Sequence, residues 1–173
     1  IPAITGIARF RLIQRDFYIF IFIVWAGLIN ETLSIVLAYT IKNNSANSNI
    51  YVLIEFELII YQFCRWSTIE VKYIITAMAG LAVWVIDNMV LHSIADDNSL
   101  FRIIASFIIL FLSIDQINRL LFFERENVLK NATFLICITF AGYYSCKAFI
   151  EAFNVFYTDL SVEFRRNVFM ILY

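Results

Sequence analysis

Charge is what this sequence has least of. Only 16% of its 173 residues are Asp, Glu, Lys or Arg, against an average near 25%, and the formal net charge is -1. No basic tract is present, which excludes a nucleic-acid partner. One proline and four scattered glycines leave no Pro/Gly-rich linker and no Gly-rich loop to cradle a phosphate. There is one histidine, His92, so no HxxxH or HExxH pair exists to hold zinc. His92 with Asp87 is a conceivable metal pair, but a histidine at a membrane surface is the simpler reading. A GxSxG motif is missing as well, which argues against serine hydrolysis. Cys64, Cys137 and Cys146 lie in apolar context without CxxC spacing and read as small buried apolar side chains. Nothing in these absences calls for a cofactor.

What fills the chain instead is apolar. Hydrophobic residues make up 62% of it and the mean hydropathy is +0.80, well above the 45–50% apolar content of an average soluble domain. The expectation is an all-α, polytopic transmembrane helical bundle forming a single domain over residues 1–173. Five complete spans are expected, near 17–41, 50–66, 73–92, 100–123 and 132–157, each about the length of a bilayer core. The chain starts at Ile1 and stops at FMILY inside an apolar run, which suggests one clipped span at each end and about seven in the natural chain. Ser161, in Ser-x-Glu-x-x-Arg, is expected to cap the last of these. Arg9, Arg11, Arg15, Arg65, Lys72, Arg125 and Lys130 fall on one side of this arrangement. The positive-inside rule makes that side cytoplasmic and puts the N-terminus outside. Arg165 and Arg166 dissent.

The stretch 49–66, NIYVLIEFELIIYQFCRW, is the awkward one, because it carries Glu55 and Glu57. A carboxylate at the centre of a bilayer helix costs on the order of 2.5–3.5 kcal/mol and therefore faces a partner or a cavity. Every span has at least one acid: Glu31, Glu55 with Glu57, Asp87, Asp115 and Glu151. At a rise of ~1.5 Å per residue, Glu31 lies ~15 Å below the outer end of its helix, and Glu55, Asp87 and Glu151 lie ~8–9 Å below theirs. Four helices thus place acids in the same leaflet. On the fifth span Tyr143, Lys147, Glu151 and Asn154 recur at helical spacing, with Lys147 the cation of the group and Glu151 its nearest partner in sequence. On the first, Gly27, Glu31, Ser34 and Ala38 make a stripe suited to close packing. Glu55 shares a face with Tyr51. Glu57 points about 200° away, towards the face of Tyr61 and Cys64, so only one of the two faces a common site. Glu55 is the preferred member. Asp115 and Arg119 form a separate i,i+4 pair at a helix exit.

Several segments resemble an uncharacterised family of small multi-spanning bacterial inner-membrane proteins. They are IPAITGIARF, NETLSIVLAY, Asn49-x-Tyr51-x-x-x-Glu55-Phe56, YYSCK and LSVEFR. The resemblance implies a helical membrane fold, brings no established activity, and makes Glu31 and Glu55 the carried-over candidates. It places the chain in the bacterial inner membrane, with an organelle inner membrane as the alternative.

The expected function is non-enzymatic. An outward-facing polar cavity built from Glu31, Glu55, Asp87, Tyr143, Lys147 and Glu151 would bind a small ligand, a proton or a cation. The protein would then act as a sensor, a transport component or an accessory subunit of a membrane complex, with the lipid bilayer and other membrane subunits as partners. Two rivals stand. A lipid-modifying enzyme would use paired carboxylates as acid and base. A structural subunit would use Trp25, Trp66, Trp84 and the many Phe residues only for packing. A retinal-type protein is a poor match, because Lys147 falls one span early. Asn30 (NET) and Asn131 (NAT) fit a glycosylation pattern, yet fall in the bilayer and on the cytoplasmic side.

Overall fold

A computed structural model describes residues 14–67, 70–96, 98–123 and 128–156. Among them all regular structure is helical: α1 (Tyr18–Thr40), α2 (Ser45–Trp66), α3 (Glu70–Val85), α4 (Leu100–Phe123) and α5 (Ala132–Phe156). A short 3-10 turn, Arg15–Phe17, leads into α1, and another, Val128–Lys130, leads into α5. The expected clipped spans, the Ser161 cap, and Arg9, Arg11, Arg125, Arg165 and Arg166 lie outside the described residues. The described residues divide into two compact units, with the boundary between Asn98 and Ser99.

Four helical stretches are long and apolar enough to cross a membrane: Arg15–Thr40, Glu70–Leu91, Leu100–Phe122 and Ala132–Val155. The expected fifth, α2, does not meet that description by composition. It opens with the polar run Ser45–Asn49 and carries Glu55, Glu57, Gln62 and Arg65. Its position in the first unit accounts for the polarity. α2 packs on α1 along one side and on α3 along the other. It buries Asn49, Val52, Phe56, Ile59, Ile60, Gln62 and Phe63, whereas α1 buries only Ile23. A helix covered by protein satisfies its polar groups against its neighbours, and only a lipid-facing one must be apolar all round.

Local chemistry sets the ends. α1 stops where Lys42 takes a left-handed conformation (φ 59) and its N–H, like that of Ile41, turns back to the Leu37 carbonyl. The Asn43 side chain then accepts the Ser45 N–H at 2.9 Å, and α2 begins five residues earlier than hydropathy suggests. α3 and α2 are in close contact at Gly80, where an added Cβ would run into the Phe56 ring. At the far end of α2, Gln62 Nε2 donates to the Asp16 carbonyl (2.8 Å) and Arg65 pairs with the Asp16 carboxylate (3.3 Å). Trp66 adds ring contacts with Phe17 and Phe63, so α2 also holds the turn ahead of α1.

In the second unit α4 and α5 form a helical pair. Phe101, Ala105, Ile109 and Leu120 on α4, and Phe134, Cys137, Phe140, Tyr144 and Ala148 on α5, form its core at three- and four-residue spacing. Ser106 and Ser113 are buried on the same face of α4. They donate to the carbonyls four residues back, each at 2.7 Å, so no hydroxyl of theirs is stranded in the seam. Asn131 caps α5 by accepting the Thr133 N–H at 2.8 Å. Of the three cysteines, Cys137 is buried as expected, but Cys146 is exposed.

Candidate functional site

A polar cluster lies in the first unit, where α3 ends and α2 begins. After Val85 the helix widens into a π-helical segment, Ile86–Leu91, and the His92 N–H bonds to the Asp87 carbonyl at 3.1 Å. π-helical turns are rare and recur at functional sites. This one brings together two side chains that an α-helix keeps apart, since five residues correspond to about 140° of rotation around an α-helix. His92 Nδ1 sits 3.0 Å from Asp87 Oδ1. The Asp87 side chain is 0% exposed and the His92 ring 51% exposed, so the pair joins a buried carboxylate to the surface.

Uncharged groups brace this turn. Asn88 Nδ2 donates to the Trp84 carbonyl (3.1 Å). Asn98 Nδ2 donates to Asn88 Oδ1 (3.0 Å) and to the Ser93 carbonyl (2.8 Å). From α2, Asn49 Nδ2 donates to the carbonyls of Ile94 (3.0 Å) and Asp96 (2.8 Å), while the Trp84 indole donates to the Asn49 carbonyl at 2.9 Å. α3 and the loop after it are thereby tied to α2 through bonds that span 35 to 47 residues of sequence. Asp96 completes the turn by accepting the Ser93 N–H (3.1 Å).

The other expected site residues of this unit stand apart from the cluster in kind. Glu55 Oε1 is 3.3 Å from the Tyr51 hydroxyl, one turn away on the same face. Glu31 is exposed. The face that α1 turns to α2 is Gly27, Asn30 and Ser34. Asn47 donates to Asn30 (2.8 Å) and Ser34 (3.2 Å), and the Tyr51 hydroxyl comes within 3.3 Å of where a Cβ on Gly27 would sit. Asn30 therefore takes the place in this stripe that the helical spacing assigned to Glu31. A groove of about 210 Å³ follows the contact, lined by Asn30, Asn47 and Tyr51 among apolar side chains, with neither Glu31 nor Glu55 in its wall. Glu57 faces a different cleft, shared with Tyr61, Cys64 and Tyr73, so the two acids of α2 have different neighbours.

The second unit holds its own charged group. Glu151 is buried, accepts a hydrogen bond from Ser99 Oγ at 2.9 Å, and lies 3.6 Å from Arg102 Nη1. The Arg102 and Glu151 side chains are 14% and 11% exposed. Arg102 went unnoticed in the sequence, where Lys147 stood as the lone cation of the group. The available signal was its depth: Arg102 begins α4 at the end where α5 brings Glu151. The Lys147 ammonium lies over the Tyr144 ring at 5.3 Å and the Tyr143 ring at 5.8 Å, which is cation–π range. Tyr144 is buried and Tyr143 exposed. Asp115 is exposed, apart from these groups along α4.

Among the described residues no cluster of three or more His, Cys, Asp or Glu side chains is placed to hold a metal ion. Chemically, the first unit offers a buried carboxyl in contact with a half-exposed imidazole, and the second a buried, hydrogen-bonded ion pair. The chain matches no family model, no curated protein and no solved structure.

Proposed function

We propose that the chain is an integral, multi-pass membrane protein of the bacterial inner membrane whose Asp87–His92 pair takes up and releases a proton at the outer end of α3. In this reading α2 also crosses the bilayer, as the covered helix of its unit. The protein acts as a proton-responsive sensor, transport component or accessory subunit. The exposed apolar belt on α1, which includes Phe22, Leu28, Ile29, Leu33 and Val36, supports lipid contact. The resemblance of its N-terminal and central motifs to inner-membrane proteins supports the location.

One observation carries the proton reading: a wholly buried carboxyl, Asp87, in contact with the chain's single, half-exposed histidine. Histidine is the side chain whose charge ordinarily changes between about pH 5 and 8. A change of charge on the imidazole acts directly on the buried carboxyl 3.0 Å away. Other groups in this network are Asp96, which accepts the Ser93 N–H, and the neutral Asn49, Trp84, Asn88 and Asn98. The lipid-modifying alternative calls for two carboxylates side by side. Instead, Asp87 adjoins His92, and Glu151 adjoins Arg102 and Ser99.

Trp84 is the natural reporter, because its indole and its carbonyl both belong to the network. In a variant that keeps it as the sole tryptophan (Trp25→Phe, Trp66→Phe), reconstituted in nanodiscs, Trp84 emission is expected to change between pH 5 and 8. His92→Gln and Asp87→Asn should each flatten that change. An emission that is flat before either substitution sinks the reading.

A further inference from the structure

α1 is the least covered helix of its unit, with Ile23 its only buried residue. Its middle turns carry four polar side chains, and three of them are satisfied. Asn30 and Ser34 accept from Asn47 on α2. The exposed Thr32 hydroxyl donates to the Leu28 carbonyl of its own helix at 2.9 Å, which makes it compatible with lipid. Glu31 is the exception. It is exposed, and no hydrogen bond or ion pair reaches it. A carboxylate only accepts, and the backbone N–H groups around it are already spent within the helix, so it has no such local remedy. The residue lies about 14 Å from the Thr40 end of α1 and about 20 Å from the Tyr18 end, too deep for its short side chain to reach either surface. An acid at that depth calls for a partner.

The residues around Glu31 have the spacing of a helix seam. Val24, Leu28, Glu31, Ile35 and Ala38 follow one another in alternating steps of four and three, as in a left-handed helix pair. Leu28 and Ile35, on either side of the acid, are 47% and 52% exposed. One residue turns the helix by about 100°, which separates Glu31 from the α2-facing Asn30. We propose that this face of α1 docks a transmembrane helix of a partner protein that carries a lysine or arginine at the depth of Glu31. Charge selects that occupant. An ammonium or guanidinium inside the bilayer is as costly as the carboxylate, so each charge is a reason for the other to be covered. A second copy of the chain, inserted with the same topology, would bring a second carboxyl to the same depth. Among the described residues its deep cations are engaged, Arg102 with Glu151 and Lys147 over two tyrosine rings. A lipid amine stays at the surface, and a wholly apolar helix offers the carboxyl nothing.

This inference rests on the membrane part of the function proposed above and is independent of the proton part. The test reconstitutes the full chain in phosphatidylcholine vesicles with a synthetic leucine–alanine helix of about 23 residues, long enough to span. That helix carries photoleucine beside one central residue, which is Lys, Gln or Glu. After flotation and irradiation, labelled peptides of the chain are identified by mass spectrometry. Failure of the chain to float with the vesicles overturns the membrane reading itself. In floated protein the Lys helix is expected to label the segment 24–38 about fivefold more than the Gln or Glu helix, the ratio that about 1 kcal/mol gives. Moving the Lys two turns from the centre should remove that excess. Glu31→Gln should also remove it, and Glu31→Asp should keep most of it. Equal labelling by the Lys and Gln helices, or an excess that survives Glu31→Gln, overturns the inference. Label-dilution energy transfer in vesicles without the peptide checks self-pairing. A dimer that is lost in Glu31→Gln would give this face to a second copy and overturn the inference as well.

Discussion

The two units place polar residues among apolar helices by different means. In the first, neutral amides do most of the work: Asn47, Asn49, Asn88 and Asn98 each bond to a neighbouring helix, loop or turn, and the one buried acid of that network is matched to a histidine. In the second, buried serines bond back to their own helix, and the Arg102–Glu151 ion pair joins α4 to α5. Amide networks spread their free energy over many modest bonds and fix the path of a loop. An ion pair with little solvent around it concentrates its effect in one place, because removing either partner strands a charge. A protein that reshapes one region while keeping another rigid is well served by the first arrangement in the moving part. That is why the Asp87–His92 turn, and not Arg102–Glu151, is the proposed site of response.

The contrast predicts a ranking. Arg102→Leu should be the most damaging, at about 3 kcal/mol, since it leaves the Glu151 carboxylate buried beside Ser99 alone. The double substitution Arg102→Leu/Glu151→Leu should recover much of that loss in detergent unfolding titrations. A single substitution costing under about 1 kcal/mol would show the pair to be well solvated. Next come the helix glycines, with opposite signs in the two units. A Cβ at Gly80 lands on the buried Phe56 ring, so Gly80→Ala should destabilise by about 1–3 kcal/mol. At Gly142 an added methyl group meets nothing within 4 Å, so Gly142→Ala should stabilise α5 by roughly 0.5–1 kcal/mol in the same titration. Asn49→Ala removes two bonds to the loop carbonyls of Ile94 and Asp96. It should cost about 1–2 kcal/mol and speed amide hydrogen exchange in that loop while leaving α5 unchanged. Asn47→Ala, which removes the bonds to Asn30 and Ser34 on α1, should cost about 0.6–1.2 kcal/mol. If Asn47→Ala proved as costly as Arg102→Leu, the distinction between distributed and concentrated polar contacts would be lost.

Much of the fold was legible in the sequence. Span 100–123 and α4 agree to the residue, and the expected 17–41 and 132–157 differ from α1 and α5 by one residue at most of their ends. Long apolar runs between polar turns leave little choice of helix boundary. α2 was misplaced at its start because hydropathy rejects Ser45–Asn49, while the Asn43 side chain, which accepts the Ser45 N–H, and the partners of Asn47 and Asn49 make those polar residues good helix members. The π turn was not legible, because α-helical periodicity sets residues five apart on different faces; the sequence offered Asp87 with His92 only as a conceivable metal pair, passed over for a histidine at the membrane surface. Arg102 was overlooked for a related reason: Lys147 is nearer to Glu151 in sequence, but proximity between helices depends on their pairing.

Composition and periodicity alone determined the helical class, the lengths of the apolar helices and the separation of Glu55 from Glu57 on α2. These follow from local rules, the 3.6-residue turn and the cost of exposing or burying each side chain, and local rules act within one helix. Only the tertiary structure decided which acid meets which partner. That choice depends on how α2 and α3, or α4 and α5, are rotated against each other, and on one widened turn after Val85. It gave Asp87 a histidine, gave Glu151 an arginine, put Asn30 where Glu31 was expected, and left Glu57 Oε1 buried without a hydrogen-bond partner.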